Sequence, residues 1–222
     1  TGQEVSMYDS EGIKEEGVGV NVKAPISKDH WLGTDADGRD VFTRLMYGGR
    51  ISLEFSLVVT FIELLIGVTI GGIAGYYGGK VDMIIMRIVE IFYCIPFVPF
   101  MLVVSSFMVA FGVLPQDKIY YLMIIMGFLN WAGVARMVRG QILSIREMDY
   151  MMAAEAAGIK TSRKIFKHLI PNAIPIIIVM ATMDLGSFIL TESTLSFLGV
   201  GLAFPYASLG NMVNAVNKSV IM

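Results

Sequence analysis

Four long apolar runs, at about 51–76, 83–112, 118–138 and 172–198, limit what this 222-residue chain can fold into. A bilayer core of roughly 30 Å is crossed by about 20 residues of helix, and every run reaches or approaches that length. From 55 to 76 the only charge is Glu63. The second run includes IFYCIPFVPFMLVVSSFMVAFG, with no charge, and the fourth is interrupted by Asp184 and Glu192. Backbone polar groups cannot stay unpaired in hydrocarbon, so these runs are predicted as helices and not strands. Helices of a soluble core keep a polar face, and these have almost none. The balance of 55% hydrophobic to 16% charged residues, with a mean hydropathy of +0.66, agrees. The predicted class is an all-α polytopic membrane protein.

Lys and Arg mark the cytoplasmic loops of such chains. Residues 136–171 carry Arg136, Arg139, Arg146, Lys160, Arg163, Lys164 and Lys167, and the link 77–82 carries Lys80. Both links are predicted to be cytoplasmic. The link 113–118 and the tail after 199 hold few positive charges and are predicted to face outward. Residues 1–50 then fall outside by helix parity, as an extracellular or periplasmic loop and pre-helix, which requires a further span upstream. Within them, 1–30 mix Gly, Glu, Lys and Ser without period and read as an exposed loop. They lack the pattern of a signal peptide. The single Cys94 lies inside an apolar run, so no disulfide framework is expected.

Within the first run Gly67, Gly71, Gly75 and Gly79 recur every fourth residue, a flat stripe along which another helix can approach. Pro96 and Pro99 should kink the second run. Arg87 and Glu90 are placed for a local ion pair. Intramembrane acids are functional candidates; Glu63, Asp184 and Glu192 are candidates for a polar lining of a passage, with structural hydrogen bonding slightly favoured for Glu63 and Glu192. GYYGGKV resembles the end of a phosphate loop, but Val81 stands where Ser or Thr is needed, and it reads as a turn. DADGRD lacks the spacing of a calcium loop. Its Asp35 and Asp37, with Asp40, read as turn and cap residues, so no metal is expected.

Residues 148–172, MDYMMAAEAAGIKTSRKIFKHLIPN, are too polar for lipid and too rich in helix formers for a loose loop. Gly158 is the expected C-cap of one helix, and Thr161 or Ser162 the cap of the next. That second helix is expected to bury Ile165, Phe166 and Leu169, to turn its basic residues outward, and to end at Pro171. The small Ala153-Ala154 and Ala156-Ala157 surface suits a partner's groove better than lipid, which favours bulky apolar contacts.

AAEAAGIKTSRKIFKHLIPN resembles the cytoplasmic signature loop of ATP-binding-cassette importer permeases. Gly158 and Pro171 keep that signature's thirteen-residue spacing. Counting back from Gly158 puts the signature's glutamate at Met152 and its two alanines at Ala153 and Ala154, so Glu155 is not the signature residue. Its Ile falls on His168 and its Leu on Ile170. HWLGTDADGRDVFTRLMYGGRISL, ESTLSFLGVG and SLGNM, with the His168-to-Asn172 ending, are similar to the oligopeptide/dipeptide/nickel branch, in its second, C-type permease subunit.

The resemblance implies a type I importer permease core, with four spans visible here and six in the full subunit, one before residue 1 and one after 222. The transmembrane domain would cover 51–222, with its cytoplasmic coupling segment at 140–171. The implied function is the permease subunit of an ATP-driven importer for di- or oligopeptides, in a bacterial or archaeal plasma membrane. Implied partners are a homologous second permease, two ATPase subunits, an extracellular binding protein, peptide substrate and lipid, with no nucleic acid. The chain itself would hold no cofactor and would not be an enzyme; the ATPase subunits would use ATP and Mg. Ala153, Ala154, Glu155, Ala157, Gly158, Ile159 and Pro171 would couple to an ATPase. The alternatives are a nickel or metal-chelate importer of the same family, which would want His or Met ligands along the passage, or an ion-coupled carrier, which would want inverted repeats.

Overall fold

The computed structural model describes residues 7–8, 14–15, 24–35, 38–201 and 207–213. Most of the expected N-terminal loop, and Asp37, lie outside the described residues. Just before the first span Asp35 is held by Arg39, whose Nε donates to Oδ2 at 2.9 Å, and an isolated bridge joins Thr34 to Asp40. Asp40 then caps α1 (Val41–Tyr77), accepting the Thr43 N–H at 2.7 Å. The helix therefore starts ten residues before the apolar run, because its cap sets the start and hydropathy does not.

Gly78 and Gly79, at φ of 62° and 50°, turn the chain from α1 into α2 (Gly79–Cys94). Gly79 thus leaves the glycine stripe. Gly67, Gly71 and Gly75 stay on it and meet α4 (Pro115–Arg146) at backbone distance. A Cβ on Gly75 would lie 2.8 Å from the Arg139 carbonyl oxygen, and one on Gly71 would overlap Ala135. From the other side Gly127 of α4 admits Ile62. The contact between α1 and α4 is the most extensive in the chain, as small residues at four-residue spacing allow.

The second run is bent sharply into two helices. α2 stops at Cys94, Ile95 and Pro96 are extended, and α3 (Phe97–Ala110) leaves at 75°. A residue before proline is pushed out of the helical region, so Pro96 breaks the helix. Pro99 adds no kink. It sits in the first turn of α3, where backbone N–H groups have no partner to lose. Among the described residues three helices, or four spans with the bent pair as one, are long and apolar enough to cross a membrane.

Past α4 come α5 (Asp149–Ala156), α6 (Thr161–Arg163), a π-helical turn (Lys164–Leu169) and α7 (Ile170–Phe197). α6 through α7 form one helical rod, Thr161–Phe197, of 37 residues. The expected stop at Pro171 does not occur. Proline lacks the N–H an α-helix would use there, and the wider π turn absorbs the mismatch, with Asn172 Nδ2 donating to the His168 carbonyl at 2.6 Å. Three apolar clusters fill the bundle among the described residues, one of them, around Val89, Trp131 and Ala135, between α2 and α4. Another, around Phe55, Met101, Leu122 and Leu195, lies toward the C-terminal end of α7; the third, around Ile142, Met151, Ile165 and Leu169, lies toward α5.

Candidate functional site

At the end of the bundle that carries α5, an ion pair and a cap fix the spans. Arg139 of α4 makes a forked pair with Asp82 of α2, its Nε donating to Oδ1 at 2.8 Å. Arg146 donates to the Tyr76 carbonyl at 2.9 Å, filling an acceptor that the end of α1 leaves open. Sequence spacing could not pair Arg139 with a residue 57 positions away. Arg87 and Glu90 make their ion pair at 2.8 Å, exposed.

α5 hangs from this frame by Met151, 3% exposed and packed in the cluster with Ile145 and Ile165. Met152, Ala153, Ala156, Ala157 and Gly158 are exposed; Ala154 and Ile159 are half-buried, and Glu155 is part of the helix. Gly158 stands at φ 70°, and the Ile159 N–H reaches back to the Ala154 carbonyl at 3.2 Å. That 6→1 bond with a left-handed glycine is the Schellman termination. The next helix is entered from Lys160, without a side-chain cap, and not from Thr161 or Ser162. Ile165 and Leu169, four apart, are buried. Phe166, a hundred degrees round the helix, is 55% exposed, and Lys164 is buried with its ammonium 5.3 Å from the Tyr76 ring. The expected face is thus rotated, and one basic residue points inward.

The three acids fall into two places. Glu192, 2% exposed, accepts from Ser52 at 2.8 Å and from Ser196 at 2.7 Å. Ser52 in turn accepts the Leu209 N–H at 3.4 Å, so the cluster ties the turn at 209–213 to α1 and α7. Glu63, equally buried, has no partner for its Oε1, and neighbouring Thr60 has none for its hydroxyl. Asp184 of α7 is its electrostatic neighbour. Asp184 and Glu192 are eight residues apart, about 12 Å along the axis. Pro171 is at the far end of the same rod. Ser52, Ser56, Thr60 and Glu63 make a buried polar stripe along α1, and their spacing of four, four and three was the signal that could have revealed it.

A helical bundle with a broken span and an exposed helix–glycine–helix element leading into another span defines a multi-pass membrane protein. The family model for the binding-protein-dependent transport system inner membrane component matches residues 67–222, and the chain belongs to that family. It is 46% identical over 190 residues to the dipeptide transport system permease protein DppC of Bacillus subtilis (strain 168), covering 86% of this chain and 57% of the relative. It is 43% identical over 195 residues to the oligopeptide transport system permease protein OppC of the same organism, covering 88% and 62%. For the OppC protein of Haemophilus influenzae the figures are 40% over 185 residues, 83% and 57%. The chain thus spans 57% to 62% of the length of these curated relatives.

Proposed function

We propose that the chain is a transmembrane permease subunit of an ATP-driven importer of di- or oligopeptides, in a bacterial or archaeal plasma membrane. The substrate class is supported by the names of its relatives, a dipeptide and an oligopeptide permease protein. The coupling role is carried by one observation: the exposed small-residue face of α5 ends at Gly158 and passes directly into the 37-residue rod Thr161–Phe197. A groove of a cytoplasmic ATPase subunit grips Ala153, Ala154, Glu155, Ala157, Gly158 and Ile159. When two such subunits close on ATP and Mg, α5 moves and the rod carries that motion past Pro171 into the membrane, a rigid-body gating step. A second, homologous permease completes the passage, and an external binding protein delivers the peptide. Residues 1–50 and the tail after 199 face outward, and the loops at 77–82 and 140–171 face the ATPases. Asp184, half-buried, gives the passage polar character, whereas Glu192 serves as a tie and Glu63 stays buried beside Asp184.

The test is assembly of the chain with a second permease, candidate ATPase subunits and binding protein in lipid vesicles, followed by ATP hydrolysis and uptake. Peptide-loaded binding protein should stimulate both. Hydrolysis stimulated by a nickel chelate and not by peptides would overturn the substrate assignment, and failure of any ATPase to bind would overturn the coupling.

A further inference from the structure

α4 buries Gly127, Trp131, Val134 and Val138 toward its neighbours, and a second stripe on it points elsewhere. Asn130, Gly133 and Arg136 follow at three-residue intervals and so share a face, one that fronts the break between α2 and α3. There Phe92, Tyr93, Phe97, Leu129, Asn130 and Gly133 surround a cavity of about 300 Å³. Gly133 borders it beside Tyr93, where an added Cβ would make ordinary contact with the phenol oxygen at 3.4 Å. Arg136 is exposed, and its guanidinium lies 4.4 Å over the Tyr93 ring. Among the described residues that ring is its partner, and no carboxylate is. The Asn130 amide nitrogen donates to the Met126 carbonyl at 2.8 Å, which orients its oxygen as an acceptor.

Asn130 and Gly133 lie inside the third span, and Arg136 stands near its end. Asn130 stands nine residues before Arg139, about 13 Å along α4. A half-buried amide at that depth is out of place against hydrocarbon, and the exposed guanidinium stands six residues nearer the end that carries Arg139. The helix break adds two helix ends beside it, and helix ends are where backbone groups can meet a ligand with amides of its own.

Resting on the peptide-import reading, we propose that this niche is a ligand subsite lining the passage, which receives the carboxylate end of the transported peptide. Arg136 offers two parallel donors to the carboxylate, a geometry an ammonium cannot reproduce. Asn130 accepts from a peptide N–H, and Phe92, Tyr93 and Phe97 enclose the terminal side chain.

The complete transporter in vesicles, offered trialanine as the free acid and as the C-terminal amide, tests this. The wild type should take up the acid with the lower KM. Arg136→Gln should reduce that preference about tenfold, and Arg136→Lys should fall between. As a second measurement, Asn130→Cys in a Cys94→Ser background should react with a charged, membrane-impermeant thiol reagent and be protected by trialanine. Equal uptake of acid and amide by the wild type, or an unchanged preference in Arg136→Gln, overturns the niche alone. So does labelling by an apolar maleimide only, or protection by phosphatidylglycerol and not by peptide, which would place the stripe against lipid. Uptake of neither form by the wild type overturns the peptide-import reading, and the niche falls with it.

Discussion

Glu63 and Glu192 are each 2% exposed, and their surroundings separate them. Both oxygens of Glu192 accept from buried serines, so Glu192→Ala leaves the Ser52 and Ser196 hydroxyls without an acceptor. Such a loss should cost about 2–4 kcal/mol, read as a lower Tm of the detergent-solubilised protein. Glu63→Gln, which removes a carboxyl whose Oε1 has no partner, should change Tm little; the reverse order would refute the assignment of roles. The acids were legible in the sequence as rare charges in apolar runs. Their division was not, because the Ser52 partner of Glu192 lies 140 positions away. Asp40 was legible in full, since a cap acts through the next three residues. The Thr43 hydroxyl and N–H hold its carboxyl below the usual range, against partial burial, with His30 adding to them. The folded pKa is therefore the lower one, so the cap's contribution is complete above the unfolded carboxyl pKa of about 3.9. It is lost as pH falls through the folded value. Wild type should accordingly lose its stability difference from Asp40→Asn between about pH 5 and about pH 2, and a difference independent of pH over that window would count against the cap.

Among elements, the α1–α4 contact depends on what glycine omits. Gly71→Ala would drive a methyl into the Ala135 backbone, which cannot yield as a side-chain tip can. It should destabilise by about 1–3 kcal/mol or force the helices apart. Gly140→Ala on the same pair of helices meets nothing within 4 Å and should gain about 0.5–1 kcal/mol from helix propensity. Thermal unfolding of the two variants decides, and equal effects would remove the packing argument. A spacing of four revealed Gly67, Gly71 and Gly75 because periodicity is a property of the helix they share. The same rule included Gly79, since it cannot see that the helix stops at Tyr77. Proline signals were half legible for a related reason. Pro96 broke a helix as its chemistry dictates, whereas Pro99 and Pro171 fall where a missing N–H is either not needed or absorbed by a π turn, and only the position of the helix ends decides that.

For the whole molecule, the proposed function asks how a motion at one end reaches the other. Met151, Ile165 and Leu169 bind α5 and the π turn into one apolar cluster with α4, while Arg146 and the Arg139–Asp82 pair hold the ends of α1, α2 and α4. A push on α5 is thus shared by all the spans and is not spent in a loose loop. The joint that sets its angle is Gly158, at φ 70°, with the Ile159 N–H returned to Ala154. Proline fixes φ near −65°, so Gly158→Pro cannot form that joint, yet no buried contact is lost because Gly158 is exposed. The variant should still assemble with its ATPase partners and hydrolyse ATP, while peptide taken up per ATP falls at least about tenfold, roughly 1.4 kcal/mol of lost coupling. Gly158→Asn, whose side chain tolerates the left-handed region, should keep most of the wild-type ratio. Both quantities come from one vesicle preparation, with hydrolysis measured as released phosphate and uptake as trapped labelled peptide. An unaltered uptake-to-hydrolysis ratio in Gly158→Pro would mean that the joint transmits nothing and that force enters the spans elsewhere.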